Sequence, residues 1–292
     1  MKKLIVSFLF ALGLVSCSNE VPEPDTPEEV VSNTSRLLSI CGPDVCYDFE
    51  YDDMGKVISA KLFQPYTSYF AEYKYDKDHI YISYRQYDKI DNITIYHEDT
   101  LFLVDGRADS CAGQALTDYR IRYKLEAERF HLKFCYNERG EMIYWREEII
   151  VPVYIDPWHY SRTQIKYYDK AFEWEDGNIV YTAYNSITDK VFTNHTYTYT
   201  SQPGNNYYLE PRSVIPDLYA LVLNGYFGVA CKNLVESCED EDGSRYLYYY
   251  KRDDQQRVVT IGEYREYDEY HNYNYRGPTF YYKWDDTVKS EE

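Results

Sequence analysis

Apolar and polar residues alternate along most of the chain, and short polar turns interrupt the alternation at regular intervals. The clearest run is Tyr119 to Glu128, where rings and aliphatic side chains fall on one face and charged side chains on the other. Phe130 to Tyr136 and Thr196 to Thr200 repeat this pattern. A period of two residues is typical of β-strands with one apolar face. The pattern therefore predicts an all-β fold with rings pointing inward and charges pointing outward.

One turn unit recurs, in which a strand ends in an aromatic residue and Asp or Asn, and a polar turn, usually with Gly, reverses the chain. Its copies are residues 49–58, 73–80, 134–142, 172–179 and 248–258. Asp or Asn bonds to the nearby backbone, and Gly accepts the positive φ that tight hairpins need. The repeat predicts an antiparallel meander of hairpins, curved into a barrel or half-barrel.

The alternation stops near residues 201–206, and the following segment predicts one short helix at residues 217–223. Asp217 is expected to cap this helix, and Gly225 is expected to end it. Its apolar stripe consists of Leu218, Leu221 and Val222. More strands are expected after it, up to Trp284.

The composition is dominated by tyrosine and by acidic residues. The 37 Tyr fit a sheet, because Tyr is a strong strand former that covers apolar area and tolerates a wet tip. The formal net charge of -18 repels nucleic acid and anionic headgroups, so nucleic-acid binding is excluded. No Walker loop, Gly-x-Ser-x-Gly elbow or His-Glu-x-x-His motif is present, and neither a cofactor nor a catalytic residue is predicted.

The N-terminus carries the most specific signal in the sequence. Lys2 and Lys3 precede an apolar stretch that is too short to span a bilayer. Leu14-Val15-Ser16-Cys17 then resembles the lipobox of bacterial lipoproteins, which implies that Cys17 is acylated, for example with palmitate. The alternative is an ordinary secretory leader with a chance Cys.

These features divide the chain into four segments. Residues 1–16 are expected to be a lipoprotein signal peptide, 17–36 an acidic, Pro-rich tether, 37–284 a single β domain and 285–292 a polar tail. The acidic run after Cys17 also looks like the export signal of Bacteroidota lipoproteins. It implies a lipid anchor in the outer membrane, with the domain facing the cell surface.

Six further cysteines fit disulfides in an exported chain, and 15 pairings are possible. They are Cys41, Cys46, Cys111, Cys135, Cys231 and Cys238. Close spacing favours Cys41 with Cys46 and Cys231 with Cys238, which leaves Cys111 with Cys135 by elimination. No Cys-x-x-Cys spacing exists, so a metal site is not predicted.

The helix and its surroundings resemble a known family. Asp217-Leu218 is followed by Gly-Tyr-Phe-Gly at residues 225–228 and by Cys-Lys-Asn-Leu at residues 231–234. This order resembles a Bacteroidota lipoprotein family classed as a domain of unknown function with a porin-like fold. Val235 stands where that family usually has Pro, and Gln256 where its turn usually has Gly. The resemblance implies a curved, barrel-like antiparallel sheet and supplies no catalytic residues.

Besides a structural role as an assembly or outer-membrane accessory protein, two classes of function remain open. The first is a non-catalytic binding or scaffold module that recognises a glycan or an envelope protein through aromatic rings on the sheet. The candidate stacking residues are Trp145, Trp158, Trp174 and Trp284. The alternative role for these rings is simply the core of a Leu-poor sheet. The second class is an envelope glycoside hydrolase that acts through two carboxylates.

Overall fold

A computed structural model describes residues 36–90, 92–117, 128–156, 159–186, 191–204, 218–266 and 275–285. These residues form sixteen antiparallel strands and one helix, α1 (Tyr219–Leu223). The strands are β1 (Leu37–Cys41), β2 (Cys46–Tyr51), β3 (Val57–Phe63), β4 (Thr67–Tyr75), β5 (His79–Asp88), β6 (Ile93–Val104), β7 (Arg107–Thr117), β8 (Glu128–Tyr136), β9 (Met142–Asp156), β10 (His159–Glu175), β11 (Asn178–Ser186), β12 (Val191–Pro203), β13 (Asn233–Asp240), β14 (Arg245–Arg252), β15 (Val258–Glu266) and β16 (Tyr275–Trp284).

The sheet closes on itself. Every strand pairs with its neighbours in sequence, and β1 pairs with β16, so the strands form a closed barrel. Closure places Leu37 opposite Trp284 and Cys41 opposite Tyr281. The predicted all-β meander is therefore confirmed, and of the two predicted shapes the barrel is the one observed.

Three of the recurring turns share the same hydrogen bonds, which explains the unit in the sequence. In each, one side-chain oxygen accepts two backbone N–H groups, at 2.8–3.0 Å. The accepting residues are Asp52, Asn137 and Asp253. The fourth turn residue has a positive φ and is Gly55, Gly140 or Gln256 (φ 82°, 77° and 63°). Gln256 thus adopts the backbone conformation for which glycine is favoured.

The two faces of the sheet follow the predicted alternation. On β5, Ile80 and Ile82 are buried inside the barrel, whereas Tyr81 and Arg85 are exposed outside it. The run Tyr119 to Glu128, the clearest alternation in the sequence, lies outside the described residues except for Glu128.

Among the described residues, six aromatic side chains join neighbouring strands at one end of the barrel. Each lies on an even-numbered strand and donates a hydrogen bond to a carbonyl near the start of the preceding strand. The aromatic clamps are Tyr51 to Leu37, Tyr75 to Val57, Trp174 to Met142, Tyr199 to Ile179, Tyr250 to Val235 and Trp284 to Val258. The ring packs inside while its polar tip joins two strands, which is a structural role that suits Tyr and Trp.

The same end is covered by residues 218–232, here called the plug. Leu218, Leu221 and Phe227 of the plug are fully buried in the barrel core. The plug also bonds to the backbone of several strands and turns: Asn224 accepts from the N–H of Val57, the Tyr226 carbonyl accepts from Ala108, and Val229 donates to Gly140. The chain therefore closes its own barrel at this end, and the opposite end is called the mouth.

The predicted helix is present but starts later than expected. Its N-cap is Leu218, which makes no side-chain capping hydrogen bond. Asp217, the expected cap, lies outside the described residues. Burial of Leu218, Leu221 and Val222 confirms the predicted apolar stripe. Packing inside the barrel, not capping, holds this five-residue helix in place.

No helix among the described residues is long and apolar enough to cross a membrane.

The outer wall carries charged pairs in the middle of its strands. Lys61 on β3 lies 2.8 Å from Glu50 on β2, and Arg146 on β9 lies 2.7 Å from Asp169 on β10. Asp169 also accepts a hydrogen bond from Tyr144 at 2.6 Å. Charges therefore face outward, as the alternation predicts.

Candidate functional site

The interior near the mouth contains charges that the alternation does not predict. We call Lys170, His195, Asp240, Glu263 and Arg265 the interior charge cluster. The register places them on the inner face of β10, β12, β13 and β15. His195 Nε2 lies 3.1 Å from Asp240, and the Arg265 guanidinium stacks 5.0 Å from the Tyr246 ring and donates to Ser244. Within the cluster, His195 thus contacts Asp240, and Arg265 has an aromatic and a hydroxyl partner in the protein.

Burial also lowers the reactivity of Cys238, the nucleophilic side chain next to this cluster. It raises the pKa of the Cys238 thiol to about 12, and the nearby Asp240 carboxylate adds to this shift. A thiol with such a pKa stays protonated at neutral pH and is a poor nucleophile. Burial likewise raises the pKa of Glu263, although nearby Arg265 opposes it.

The opposite inner wall holds His97 and Asp99 on β6. His97 stacks on Tyr84 with ring centroids 3.9 Å apart, and burial lowers its pKa to about 4, so the ring is neutral at neutral pH. Asp99 is 3% exposed and crowds Gly113, where an added Cβ would lie 2.0 Å from its Oδ1. Side chains therefore fill this part of the interior.

A gap remains between the inner rings and α1, but it is too small for a ligand. It is lined mainly by Tyr47, Phe49, Tyr69, Tyr73, Tyr84 and Ala220 and has a volume of about 20 Å³. A space of that size holds one water molecule.

A much larger concave site lies on the outer wall, across β4 to β8; we call it the outer groove. Its volume is about 610 Å³, which falls in the range of ordinary small-molecule sites. Two rows of paired residues cross these strands. One row is Lys74, Tyr81, Thr100 and Ala112, and the other is Ser83, Glu98, Gln114 and Arg129. The short side chains of Ser83, Thr100 and Ala112 form the floor between taller neighbours.

The tryptophans proposed for sugar stacking do not form an exposed platform. Trp145 is 5% exposed and belongs to the core. Trp174 and Trp284 are aromatic clamps that pack against the same core. Trp158 lies outside the described residues. The three described rings thus have the structural role that was the alternative in the sequence.

The cysteines agree with the sequence at one pair only. Cys41 and Cys46 form a disulfide. Cys231 is not joined to Cys238, because Cys231 precedes the start of β13 whereas Cys238 lies near its far end. Cys111 is not joined to Cys135. Cys111 lies opposite Leu132, and both side chains are on the inner face. Cys135 comes three residues after Leu132 on β8, so its side chain is on the other face. Both predicted pairs are therefore wrong, one because of separation along a strand and the other because the side chains lie on opposite faces.

Metal binding has little support among the described residues. Cys41, Cys46 and Asp48 come within ligand distance of one another, but both sulfurs are in the disulfide and are not thiolates. Cys17, the predicted lipidation site, lies outside the described residues, and lipidation stays a prediction.

Comparison with known proteins finds solved structures with a similar fold. No family model matches the chain, and no curated protein matches it. Among solved structures, the chain is similar to a porin-like protein from Bacteroides uniformis ATCC 8492, with TM-score 0.55 and 14% identity over 85% of this chain and 96% of that one. It is also similar to a porin-like protein from Bacteroides vulgatus ATCC 8482, with TM-score 0.53 and 11% identity over 86% and 99%. The barrel fold implied by the resemblance in the sequence is therefore confirmed.

Proposed function

We propose that this protein is a lipid-anchored lipoprotein of the outer membrane that acts at the cell surface as a non-catalytic glycan-binding module. The observation that carries the proposal is the outer groove, an open and largely polar site on the outer wall of the barrel. Among the described residues, the plug and the clamps occupy the interior at the opposite end from the mouth. The outer groove is therefore the site to which we assign ligand binding.

The charged outer wall argues for a barrel that stands in water. In a membrane barrel the outward residues form an apolar band, and a Lys or Arg at mid-bilayer costs about 2–4 kcal/mol. Here Lys61, Arg146 and Asp169 occupy outward positions within strands. Together with the plug, this favours a surface domain over a pore, despite the porin-like fold.

The anchor is tested by metabolic labelling of the full chain with palmitate in a bacterium that processes lipoproteins. We expect label on the wild type and none on Cys17→Ala. Protease treatment of intact cells should then remove the labelled chain's β domain. Equal labelling of both forms, or full protection from protease, contradicts the proposed anchoring and orientation.

Glycan binding is tested with the full chain in detergent by affinity electrophoresis through gels containing neutral and acidic polysaccharides. The heat-unfolded chain is the control for nonspecific retardation. We expect retardation of the folded chain by at least one polysaccharide. Absence of binding to all of them, or channel conductance in planar bilayers, contradicts the proposal.

A two-carboxylate hydrolase is the second candidate function. One observation favours it: Asp240 and Glu263 both face the interior near the mouth, and their surroundings differ, since Asp240 is paired with His195 while burial raises the pKa of Glu263. Paired carboxyls in unlike surroundings are typical of acid–base catalysis. Release of reducing sugar by the wild type and its loss in Glu263→Gln would support this function, and no release by the wild type would remove it.

A further inference from the structure

Charged and aromatic side chains lie at different positions along the length of the outer groove. Its rows run perpendicular to the strands, from β4 to β8, and neighbouring strands are about 4.8 Å apart, so the groove spans about 19 Å. Lys74 stands at one end and Arg129 at the other. A ligand that touches both must be extended.

Both cations are available to a ligand. Lys74 and Arg129 are exposed, and neither makes a salt bridge with another described residue. Glu98, the acidic residue facing the groove, accepts a hydrogen bond from Gln114 at 3.5 Å in the second row. The groove therefore has a cation at each end and Glu98 between them, while the Asp99 side chain that borders it is buried on the inner face. The net charge of the whole chain is -18. At physiological salt, fields are screened beyond about 8 Å, so contact with these two cations outweighs the distant acidic residues.

An aromatic ring lies beside the Lys74 end. Tyr81 is 47% exposed, and its ring stacks on His79 at 6.0 Å. His79 in turn makes an edge contact with Phe102 at 5.3 Å, so Tyr81 is the exposed end of a packed aromatic group. A ring held in this way offers a flat apolar surface at little cost in side-chain entropy.

We propose that the outer groove binds an acidic oligosaccharide, with Lys74 and Arg129 holding sugar carboxylates and Tyr81 stacking on a sugar ring between them. This inference rests on the proposed glycan-binding function and adds to it the ligand class and the three residues. A neutral glycan would leave both cations without a counter-charge. A basic protein would be repelled by them.

The experiment measures affinity of the full chain for polygalacturonate, alginate and hyaluronate, each compared with its methyl-esterified form. The ester keeps the sugar backbone and removes the charge. We expect each preferred acidic form to bind about threefold to tenfold more tightly than its ester, from two exposed charge contacts. This preference should disappear at about 1 M salt, where the screening length is about 3 Å.

Variants separate the roles of the three residues. Lys74→Gln and Arg129→Gln should each weaken binding of the acidic form about threefold and leave the ester unchanged. Tyr81→Ala should weaken both forms alike. The matched controls Lys251→Gln and Tyr281→Ala remove an exposed cation and an exposed ring from the outer wall of β14 and β16, and should bind as the wild type does.

The outcomes distinguish this inference from the function on which it rests. If acidic and esterified forms bind equally, or if the groove variants behave like the controls, the groove assignment is wrong while glycan binding stands. If no polysaccharide in either form binds, both are wrong. Circular dichroism of each variant identifies loss of folding, and Lys74→Arg, which keeps the charge, should restore the preference.

Discussion

The aromatic clamps provide the sharpest test of how this Tyr-rich sheet is stabilised. Tyr75 on β4 donates its hydroxyl to the carbonyl of Val57 at 2.6 Å, and Val57 is fully buried. Tyr75→Phe keeps the ring and its packing but removes the donor. The buried carbonyl then loses its side-chain partner. If the hydrogen bonds of the clamps stabilise the pairing of strands, removing this one hydroxyl should lower the stability of the barrel.

The expected cost follows from the burial of the acceptor. Leaving a buried polar group unsatisfied costs about 1–3 kcal/mol, more than the net value of an ordinary exposed hydrogen bond. For a domain of roughly this size, about 1 kcal/mol corresponds to a shift of about 2–4 °C in Tm. Tyr75→Phe should therefore lower Tm by about 2–12 °C. Tyr281→Phe, on an exposed ring that is 61% accessible, should leave Tm unchanged.

The assay is urea unfolding of the full chain, followed by far-UV circular dichroism, with Tm measured in parallel. The denaturation midpoint should fall for Tyr75→Phe while the slope m stays constant, because the surface exposed on unfolding is the same. Tyr199→Phe on β12, which loses the bond to Ile179, should show a similar loss, and the two should add in the double variant. If Tyr75→Phe matches Tyr281→Phe, the clamps contribute through ring packing alone and the reasoning is refuted.

Three further predictions concern backbone and charge. Gln256→Gly should raise the free energy of unfolding by about 0.5–1 kcal/mol, seen as a higher denaturation midpoint. The reason is that Gln256 has a φ of 63°, a conformation that costs residues other than glycine about 1–2 kcal/mol. A lower midpoint would contradict this. Gly228→Ala should destabilise the plug by at least about 2 kcal/mol, measured by proteolysis within residues 218–232, because φ is +78° and the new Cβ would lie 2.3 Å from the Gly140 carbonyl; equal protease resistance would contradict it. His97, with a pKa of about 4 when folded and 6.5 when unfolded, binds more protons in the unfolded chain, so stability should fall by up to about 2 kcal/mol as pH drops from 7 to 5. His97→Gln should remove that loss, exposed His131→Gln should not, and identical pH profiles for the two variants would rule out the assignment.

Much of the fold could be predicted because its signals are local. The Asp or Asn oxygen that accepts two backbone N–H groups lies within the turn it shapes, so Asp52, Asn137 and Asp253 mark hairpins in the sequence. The Cys41–Cys46 disulfide spans a short loop and was likewise predictable. The incorrect pairing of Cys111 with Cys135 came from elimination, which takes no account of the face on which each residue lies.

The functional surface could not be predicted in the same way. The tryptophans suggested Trp145, Trp174 and Trp284 as sugar-stacking residues. Whether such a ring packs in the core or is exposed for stacking depends on which face of the sheet lies inside the barrel. The groove residues Lys74 and Arg129 lie far apart in sequence and are brought into one site by the register of five strands. No motif marks them, because each is an ordinary outward residue of its own strand.

The sequence alone determined the strands, their turns and the existence of two unlike faces, because side-chain period and turn chemistry are properties of neighbouring residues. Only the tertiary structure decided that the sheet closes between Leu37 and Trp284, that the plug fills one end and that Lys170 and Asp240 point inward. Alternation separates two faces without saying which is inside. That choice depends on closure, on register shifts at the turns and on packing between residues distant along the chain.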